Sequence, residues 1–285
     1  MKNIVVFGAS GQLGQCLKSV SEKAEMTNIH FPSKNEADIL DTAALRSVFE
    51  IYKPAYCINC AAYTAVDKAE DEQELAHRVN KTGAENLSKY CLEFGSVLIH
   101  ISTDFVFPGN KPTPLNEQDL TGPINVYGQS KLEGEKAIQA ILEKYFIIRT
   151  GWLYSEFGSN YAKTMLRLGS EKQELKIIAD QTGTPTYAID LAVCILHIIG
   201  SGSVAYGVFH YGNEGIASWY DFSKAIFDIS QNKIKVIPIK TEEYNSKAAR
   251  PPYSVLDKSK IKKTLGIEIP YWRDSLATCI SKLKK

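Results

Sequence analysis

The chain has 285 residues, of which 44% are hydrophobic and 23% are charged, so it is long enough to bury a large core. Its formal net charge is +1 and it has no basic block, which argues against a nucleic-acid-binding protein. The longest apolar stretch, at about 191–199, is too short to span a bilayer, so no membrane segment is expected.

A glycine-rich turn follows the first predicted strand. Residues 3–7 form a short apolar run typical of a buried strand, and Gly8, Gly11 and Gly14 follow it at intervals of three. In a dinucleotide-binding turn, the first glycine permits the turn and the second lets the backbone approach a pyrophosphate. The third lets the next helix pack closely on the sheet. Directly after an N-terminal strand, this spacing favours cofactor binding over an ordinary turn.

Strands and helices then alternate, which predicts a parallel sheet with helices on both faces. Helices are predicted at 14–24, 42–52, 74–94, 125–139, 160–169, 191–199 and 218–229, and strands at 28–31, 55–62, 96–102, 145–149 and 206–210. We therefore predict an α/β fold, a Rossmann-like doubly wound parallel sheet with a smaller C-terminal substrate-binding domain. The cofactor-binding domain is expected at 1–150, with segments at about 184–212 rejoining it, and the substrate-binding domain mainly at 151–285.

Six cysteines are scattered along the chain, and two of them form a CxxC pair. Cys57 and Cys60 lie in a predicted strand, where residues three apart point to opposite faces, so metal or redox use is not expected. We predict reduced thiols in a cytoplasmic protein, because the glycine turn begins at residue 8 and leaves no room for a leader peptide.

Tyr127 and Lys131 are predicted to lie on one helix. A spacing of four residues places the phenol and the ammonium on the same face, where the lysine is expected to lower the pKa of the phenol toward working pH. Such a tyrosine exchanges a proton with a carbonyl or alcohol oxygen. Thr103 follows the strand 96–102, at the edge where parallel sheets bind ligands, and its hydroxyl is placed to share the substrate oxygen. The pair is commonplace alone, and this context favours catalysis.

Six blocks of the sequence occur in an order that is specific to one protein family. They are Gly8–Gly14, Asn59–Glu70, Ser102–Gly109, Asn125–Lys136, Arg149–Tyr154 and Asp180–Thr186. With these blocks, nearly the whole chain resembles the extended branch of the short-chain dehydrogenase/reductase superfamily, which acts on nucleotide sugars. The likeness is closest to its reductases of dTDP-4-dehydro-β-L-rhamnose, and it implies NADPH-dependent reduction of the C4 ketone to dTDP-L-rhamnose.

The resemblance also implies a role for each matched residue. Thr103, Tyr127 and Lys131 match the catalytic triad, in which the tyrosine donates a proton, the threonine orients the carbonyl and the lysine binds the nicotinamide ribose. Dinucleotide binding is expected at Gly8, Ser10, Gly11, Gln12, Leu13, Asp38, Ile39, Ala61, Ala62, Tyr63, Asn80, Tyr127 and Lys131. Substrate binding is expected at Val66, Thr103, Asp104, Phe105, Tyr127, Trp152 and Arg250.

Two substrate residues have ordinary structural interpretations as well. Trp152 suits stacking on the sugar or the thymine, but it also suits a buried core. Arg250 precedes two prolines, where its guanidinium is placed to pair with the pyrophosphate, and an ordinary surface arginine is the alternative.

The sequence departs from related enzymes at two positions. Phe105 stands where some relatives have tyrosine. It also stands where the dehydratases of this branch carry a glutamate, the base that drives elimination of water, so reduction is favoured over dehydration. Gln15 stands where some relatives place a glutamate of a magnesium-linked dimer. We therefore predict no metal site and leave monomer and homodimer as alternatives.

Cofactor preference depends on the residues after the second strand. NAD sites commonly place a carboxylate there, whereas this chain offers Ser33 and Lys34, and a lysine attracts a 2′-phosphate. NADPH is therefore preferred, with NADH as the alternative. Two other functions remain open: another nucleotide-sugar 4-ketoreductase or epimerase, and a non-catalytic binding protein similar to the methionine adenosyltransferase regulatory subunit.

Overall fold

The computed structural model describes residues 2–284. The strands are β1 (Ile4–Phe7), β2 (Ile29–His30), β3 (Tyr56–Asn59), β4 (Val97–Thr103), β5 (Tyr145–Thr150), β6 (Leu153–Tyr154), β7 (Glu174–Ile178), β8 (Thr182–Gly183), β9 (Thr186–Tyr187), β10 (Gly207–His210), β11 (Ala217–Ser218) and β12 (Lys235–Ile239). The α-helices are α1 (Gln12–Lys23), α2 (Thr42–Tyr52), α3 (Val66–Ala69), α4 (Gln73–His77), α5 (Gly83–Phe94), α6 (Val126–Ile141), α7 (Tyr161–Glu171), α8 (Ala188–Ser201), α9 (Trp219–Ser230), α10 (Ser259–Leu265) and α11 (Trp272–Leu283). Short 3-10 turns lie at Asp104–Val106 and Thr241–Glu243.

A six-stranded parallel sheet forms the centre of the molecule, in the order β10-β5-β4-β3-β1-β2. The chain runs from β1 outward to β2 and then returns to the other side of β1 for β3, so the strand order reverses between β1 and β3. Ligands of open parallel sheets bind outside the carboxyl ends of the strands at such a reversal. The predicted doubly wound parallel sheet is confirmed.

The two faces of this sheet are covered by different helices because strand side chains alternate between the faces. Helices α1, α8 and α10 pack on one face, and α2, α5 and α6 pack on the other. Cys57 belongs to the second cluster, whereas Cys60 packs against the first, as predicted for residues three apart on a strand. All six cysteines are free thiols.

A further hydrophobic cluster joins α7, α9 and α11 beyond the central sheet. Small sheets flank it: β7 pairs with β12, β8 with β11, and β6 with β9. Of the later elements, α8 nevertheless packs on the central sheet, and β10 pairs with β5 at its edge. The expected domain boundary at residue 150 stays a prediction. Within residues 2–284, no helix combines the length and apolarity needed to cross a membrane.

The helix predicted at 74–94 is confirmed as one helical run from α4 to α5, but its middle turn is not α-helical. The segment Arg78–Thr82 is a π-helix between α4 and α5, and it adds an extra residue to the turn. This turn buries Asn80, whose Oδ1 accepts from Tyr63 N (2.9 Å) and whose Nδ2 donates to Ser130 Oγ (2.9 Å). The helix changes its winding here because Asn80 joins it to the loop after β3 and to α6, contacts that no local pattern encodes.

Candidate active site

A tight turn connects β1 to α1 at the point where the strand order reverses. Gly8 has φ of +77°, and a Cβ there would lie 2.5 Å from Ala61 N, so only glycine fits. A Cβ on Gly14 would lie 2.5 Å from Gly8 O, which explains how α1 can begin directly on the turn. The first N–H groups of α1, including those of Gln12 and Leu13, have no partners within the helix and therefore suit a pyrophosphate.

A cleft of about 390 Å³ opens beside this turn. Eight of the residues predicted to bind the dinucleotide line it: Gly8, Ser10, Gly11, Asp38, Ile39, Ala61, Ala62 and Tyr63. Leu75 and Val79 add an apolar wall that the sequence did not predict, and Lys34 lies at the same cleft. Gln12 Oε1 is buried without a hydrogen-bond partner in the described part of the chain. A mixed lining and an unsatisfied acceptor at a glycine turn fit a nicotinamide dinucleotide.

Other predicted cofactor residues do not line this cleft. The Leu13 side chain is buried in the core on one face of the sheet. Asn80 uses both amide hydrogens, on Tyr63 O (3.0 Å) and Ser130 Oγ (2.9 Å), so its side chain fixes the wall of the cleft. Tyr127 and Lys131 lie on α6, which packs beside the carboxyl end of β4.

The turn after β4 brings the predicted catalytic residues together. Asn125 caps α6 by accepting a hydrogen bond from Gly128 N (2.7 Å). Gly128 packs so closely on Phe105 O that a Cβ would collide with it, which places the start of α6 against this turn. The Phe105 ring meets the Tyr127 ring edge-on, with centroids 6.0 Å apart. Thr103 Oγ1, buried at the end of β4, donates to Asp104 Oδ1 (3.1 Å).

The ionisation of Tyr127 and Lys131 is dominated by burial. Burial raises the pKa of Tyr127 to about 12, with the Thr103 hydroxyl opposing the shift and Asp104 adding to it. Burial also lowers the pKa of Lys131 to about 8, against the opposing charge of Glu135. The predicted lowering of the phenol pKa is not found in this state, because burial outweighs the neighbouring lysine, whose amine donates to Ile101 O (2.6 Å). A phenol that stays protonated at neutral pH suits a proton donor.

Arg250 is held at the start of α3, the helix that begins with Val66. Val66 begins α3, and the next residue, Asp67, forms a two-point ion pair with Arg250 (Nη2 to Oδ2, 2.6 Å; Nη1 to Oδ1, 3.1 Å). The guanidinium holds the pKa of Asp67 below its ordinary value. Arg250 is therefore tied to Asp67 here, and its pairing with a pyrophosphate stays a prediction.

Trp152 is stacked on a second indole. Its ring lies on that of Trp219 with centroids 3.5 Å apart and planes 4° from parallel, and its backbone has φ of +52°. A Cβ on Gly183 would lie 2.6 Å from the Trp152 ring, so the ring is also confined there. The sequence did not predict Trp219, which lies 67 positions further along the chain.

Asp104 faces a small internal cavity. The cavity has a volume of about 10 Å³ and includes Gly151, Ser254 and Lys258 in its lining. Burial raises the pKa of Asp104 to about 6, while hydrogen bonds from Ser254 and Thr103 oppose the shift. The Asp104 side chain is thus part of the packing beside Thr103.

Gln15 lies at the glycine turn, where its Nε2 donates to Ser10 O (2.8 Å). Across residues 2–284, no group of three or more His, Cys, Asp or Glu side chains is arranged to hold a metal ion. The expectation of no metal site stays a prediction.

The sheet order, the glycine turn and the order of Thr103, Tyr127 and Lys131 define a class of protein, the nicotinamide-dependent oxidoreductases of the short-chain dehydrogenase/reductase type. Within that class, the family model "RmlD substrate binding domain" matches residues 1–285. The chain belongs to this family, and the predicted relationship is confirmed.

Curated relatives match almost the whole chain. The dTDP-4-dehydrorhamnose reductase of Aggregatibacter actinomycetemcomitans is 38% identical, and the match covers 97% of each chain. The spore coat polysaccharide biosynthesis protein SpsK of Bacillus subtilis is also 38% identical, over 97% of this chain and 96% of its own.

Solved structures of similar proteins have the same fold. A dTDP-4-dehydrorhamnose reductase from Clostridium acetobutylicum is 40% identical, with a TM-score of 0.95 and full coverage of both chains. The Bacillus anthracis dTDP-4-dehydrorhamnose reductase in complex with NADP is 39% identical, with a TM-score of 0.94, over 99% of this chain and 100% of its own.

Proposed function

We propose that the chain is an NADPH-dependent dTDP-4-dehydrorhamnose reductase, which reduces the C4 ketone of dTDP-4-dehydro-β-L-rhamnose to dTDP-L-rhamnose. The observation that carries this proposal is the match to reductases of that name along almost the entire chain. The meeting of Thr103, Phe105 and Tyr127 at the carboxyl end of β4 supports it, because a ketone placed there meets both hydroxyl groups.

In this mechanism the side chains handle the proton and the carbonyl. Bound NADPH supplies the hydride that adds to C4. The Thr103 hydroxyl orients the carbonyl oxygen, and the Tyr127 phenol gives its proton to that oxygen as the negative charge develops. The raised pKa of Tyr127 keeps the phenol protonated until that moment. Lys131, one helical turn further along α6, stabilises the resulting phenolate.

The preference for NADPH is supported by Lys34 at the cofactor cleft and by the NADP complex of the Bacillus anthracis relative. A lysine there attracts a 2′-phosphate. Asp38 lines the same cleft, but its Oδ1 accepts from Leu40 N (2.9 Å), so the carboxylate has a partner of its own. NADH stays the alternative cofactor. The cytoplasmic location and the choice between monomer and homodimer also stay predictions.

The direct test follows nicotinamide absorbance with NADPH and dTDP-4-dehydrorhamnose, and it compares wild type with Tyr127→Phe. We expect wild type to oxidise NADPH. The variant should bind NADPH normally but lose turnover by about 10²- to 10⁴-fold, because only the acidic hydroxyl is missing. Tyr145→Phe is the matched control, because Tyr145 begins β5 at the opposite end of the strand from Thr150, the residue that pairs with Thr103.

Near-normal turnover of Tyr127→Phe would refute the assigned proton donor. If folded wild-type protein binds NADPH but oxidises it with no keto sugar nucleotide, the non-catalytic binding role is favoured. Oxidation with other 4-keto sugar nucleotides alone would indicate a different ketoreductase, and interconversion without net oxidation of NADPH would indicate an epimerase.

A further inference from the structure

Three buried polar side chains form a row beside the active site. Asn59 ends β3, His100 lies opposite it in the register of β4, and Lys131 lies on α6. Asn59 Nδ2 is 3.0 Å from His100 Nδ1, and His100 Nε2 is 3.3 Å from Lys131 Nζ. Each of the three residues is at most 2% exposed. The imidazole therefore has one polar neighbour on each ring nitrogen and little contact with water.

The partners of Asn59 determine which nitrogen of His100 carries the proton. Asn59 Oδ1 accepts a hydrogen bond from Ala61 N (3.0 Å), so the NH₂ group of the amide faces the ring. An NH₂ group only donates, which requires His100 Nδ1 to be the acceptor. Burial and the charge of Lys131 lower the pKa of His100 well below its ordinary value. The ring is thus neutral, and its single proton lies on Nε2.

This tautomer points an N–H group at the Lys131 amine. An ammonium has three N–H groups and no lone pair, so it cannot accept a hydrogen bond from His100 Nε2–H, and two donors would face each other. A neutral amine has a lone pair that accepts from His100 Nε2 while one of its own hydrogens still bonds to Ile101 O (2.6 Å). The imidazole therefore favours the neutral amine over the ammonium.

The other titratable groups around Lys131 act in the opposite sense or are neutral. Glu135, on the same helix, favours the ammonium, but it is paired with Arg149 (Nη2 to Oε2, 2.7 Å). Cys60 follows β3, and burial raises the pKa of its thiol, which keeps it uncharged at neutral pH. The Tyr127 phenol is protonated as well. Burial prevails over these groups and lowers the pKa of Lys131 to about 8.

We propose that His100 is a positioning residue for the reaction: held by Asn59 as the Nε2–H tautomer, it fixes the Lys131 amine and makes its ammonium a ready proton donor. After each reduction, the ammonium returns a proton to the Tyr127 phenolate, directly or through a bridging hydroxyl or water. The neutral amine that remains accepts from His100 Nε2 and regains a proton from water of the cleft. This role in turnover rests on the proposed function, whereas the tautomer and the ionisation of Lys131 do not.

The first test uses the wild-type protein and needs no activity. Nitrogen-15 NMR of the five histidines distinguishes the two neutral tautomers by the proton couplings of each ring nitrogen. We expect His100 to be neutral across the range from pH 6 to pH 9, with its proton on Nε2. A proton on Nδ1, or an imidazolium at neutral pH, would overturn the proposal.

The second test measures the ionisation of Lys131 directly. In protein labelled with carbon-13 at lysine Cε, the Lys131 signal is assigned by its loss in Lys131→Met. Wild type should titrate with a midpoint near pH 8. In His100→Gln the amide oxygen can turn to the ammonium, and in Asn59→Asp the carboxylate accepts from Nδ1 and frees Nε2 as an acceptor. Both variants should therefore titrate at least about one pH unit higher, a tenfold change in the equilibrium.

His210→Gln is the matched control, because His210 is also fully buried, but its Nδ1 donates to Leu115 O (3.0 Å), away from α6. It should leave the Lys131 midpoint unchanged. Unchanged Lys131 midpoints in both His100→Gln and Asn59→Asp would overturn the proposal. If neither variant folds, the nitrogen-15 NMR measurement of the His100 tautomer in wild type still tests the proposal. The basic limb of the kcat profile should move with the midpoint. If wild type lacks reductase activity, the proposed function fails while the NMR results still decide the role of His100 in setting Lys131.

Discussion

Replacing Asp104 with asparagine should change how stability depends on pH. The Asp104 carboxyl is only 3% exposed, and burial raises its pKa from 3.8 to about 6. Because the folded pKa is the higher one, the folded state holds this proton more tightly than the unfolded chain. The stability from the protonated form is complete below about pH 4 and is lost as pH rises through about 6. The shift of about two pKa units corresponds to about 3 kcal/mol.

The measurement is urea unfolding of wild type and Asp104→Asn, followed by circular dichroism from pH 4 to pH 7.5. The difference in unfolding free energy should move by about 2–3 kcal/mol in favour of the variant over this range, because asparagine does not titrate. Asp67→Asn provides a contrast of opposite sign. Arg250 lowers the pKa of Asp67, so that carboxylate adds stability above its unfolded pKa and loses it as pH falls. A pH-independent difference for Asp104→Asn would refute the reasoning from burial.

Two further substitutions test the glycine turn and the buried ion pair. Gly8→Ala should weaken NADPH binding at least about tenfold in a fluorescence titration, since its Cβ would meet Ala61 N at a positive φ. Gly122→Ala is the control, because a Cβ there would make only ordinary van der Waals contact with Pro108, and equal affinities of the two variants would contradict the assigned cleft. Glu135→Gln should lower the unfolding free energy by about 3–5 kcal/mol, because Arg149 is left buried without its partner. Glu171→Gln removes an exposed pair with Arg167 and should cost less than about 1 kcal/mol, so similar losses in both would argue against burial as the cause.

Local signals predicted most of the central sheet. Asp41 caps α2, as aspartate directly before a helix commonly does, and its Oδ1 accepts from Ala43 N (2.9 Å) and Ala44 N (3.0 Å). The glycine turn was expected after an apolar strand, and Gly8 has the positive φ that such a turn requires. These features depend on neighbours in the chain, which is why the sequence alone reveals them.

Features that depend on distant residues were not predictable in the same way. Trp152 stacks on Trp219, and Asp67 pairs with Arg250, although each pair is far apart in sequence. The predicted direction of the Tyr127 pKa shift was wrong for the same reason. A spacing of four residues placed a lysine beside it on the helix, but burial by other elements outweighs that neighbour.

The most direct measurement uses NADPH that carries deuterium at the transferable position of the nicotinamide ring. With dTDP-4-dehydrorhamnose as substrate, wild type should form dTDP-rhamnose with one deuterium at C4 for each NADPH oxidised, and Tyr127→Phe should form almost none. Oxidation of no cofactor, or a product without deuterium at C4, would contradict hydride transfer to that ketone.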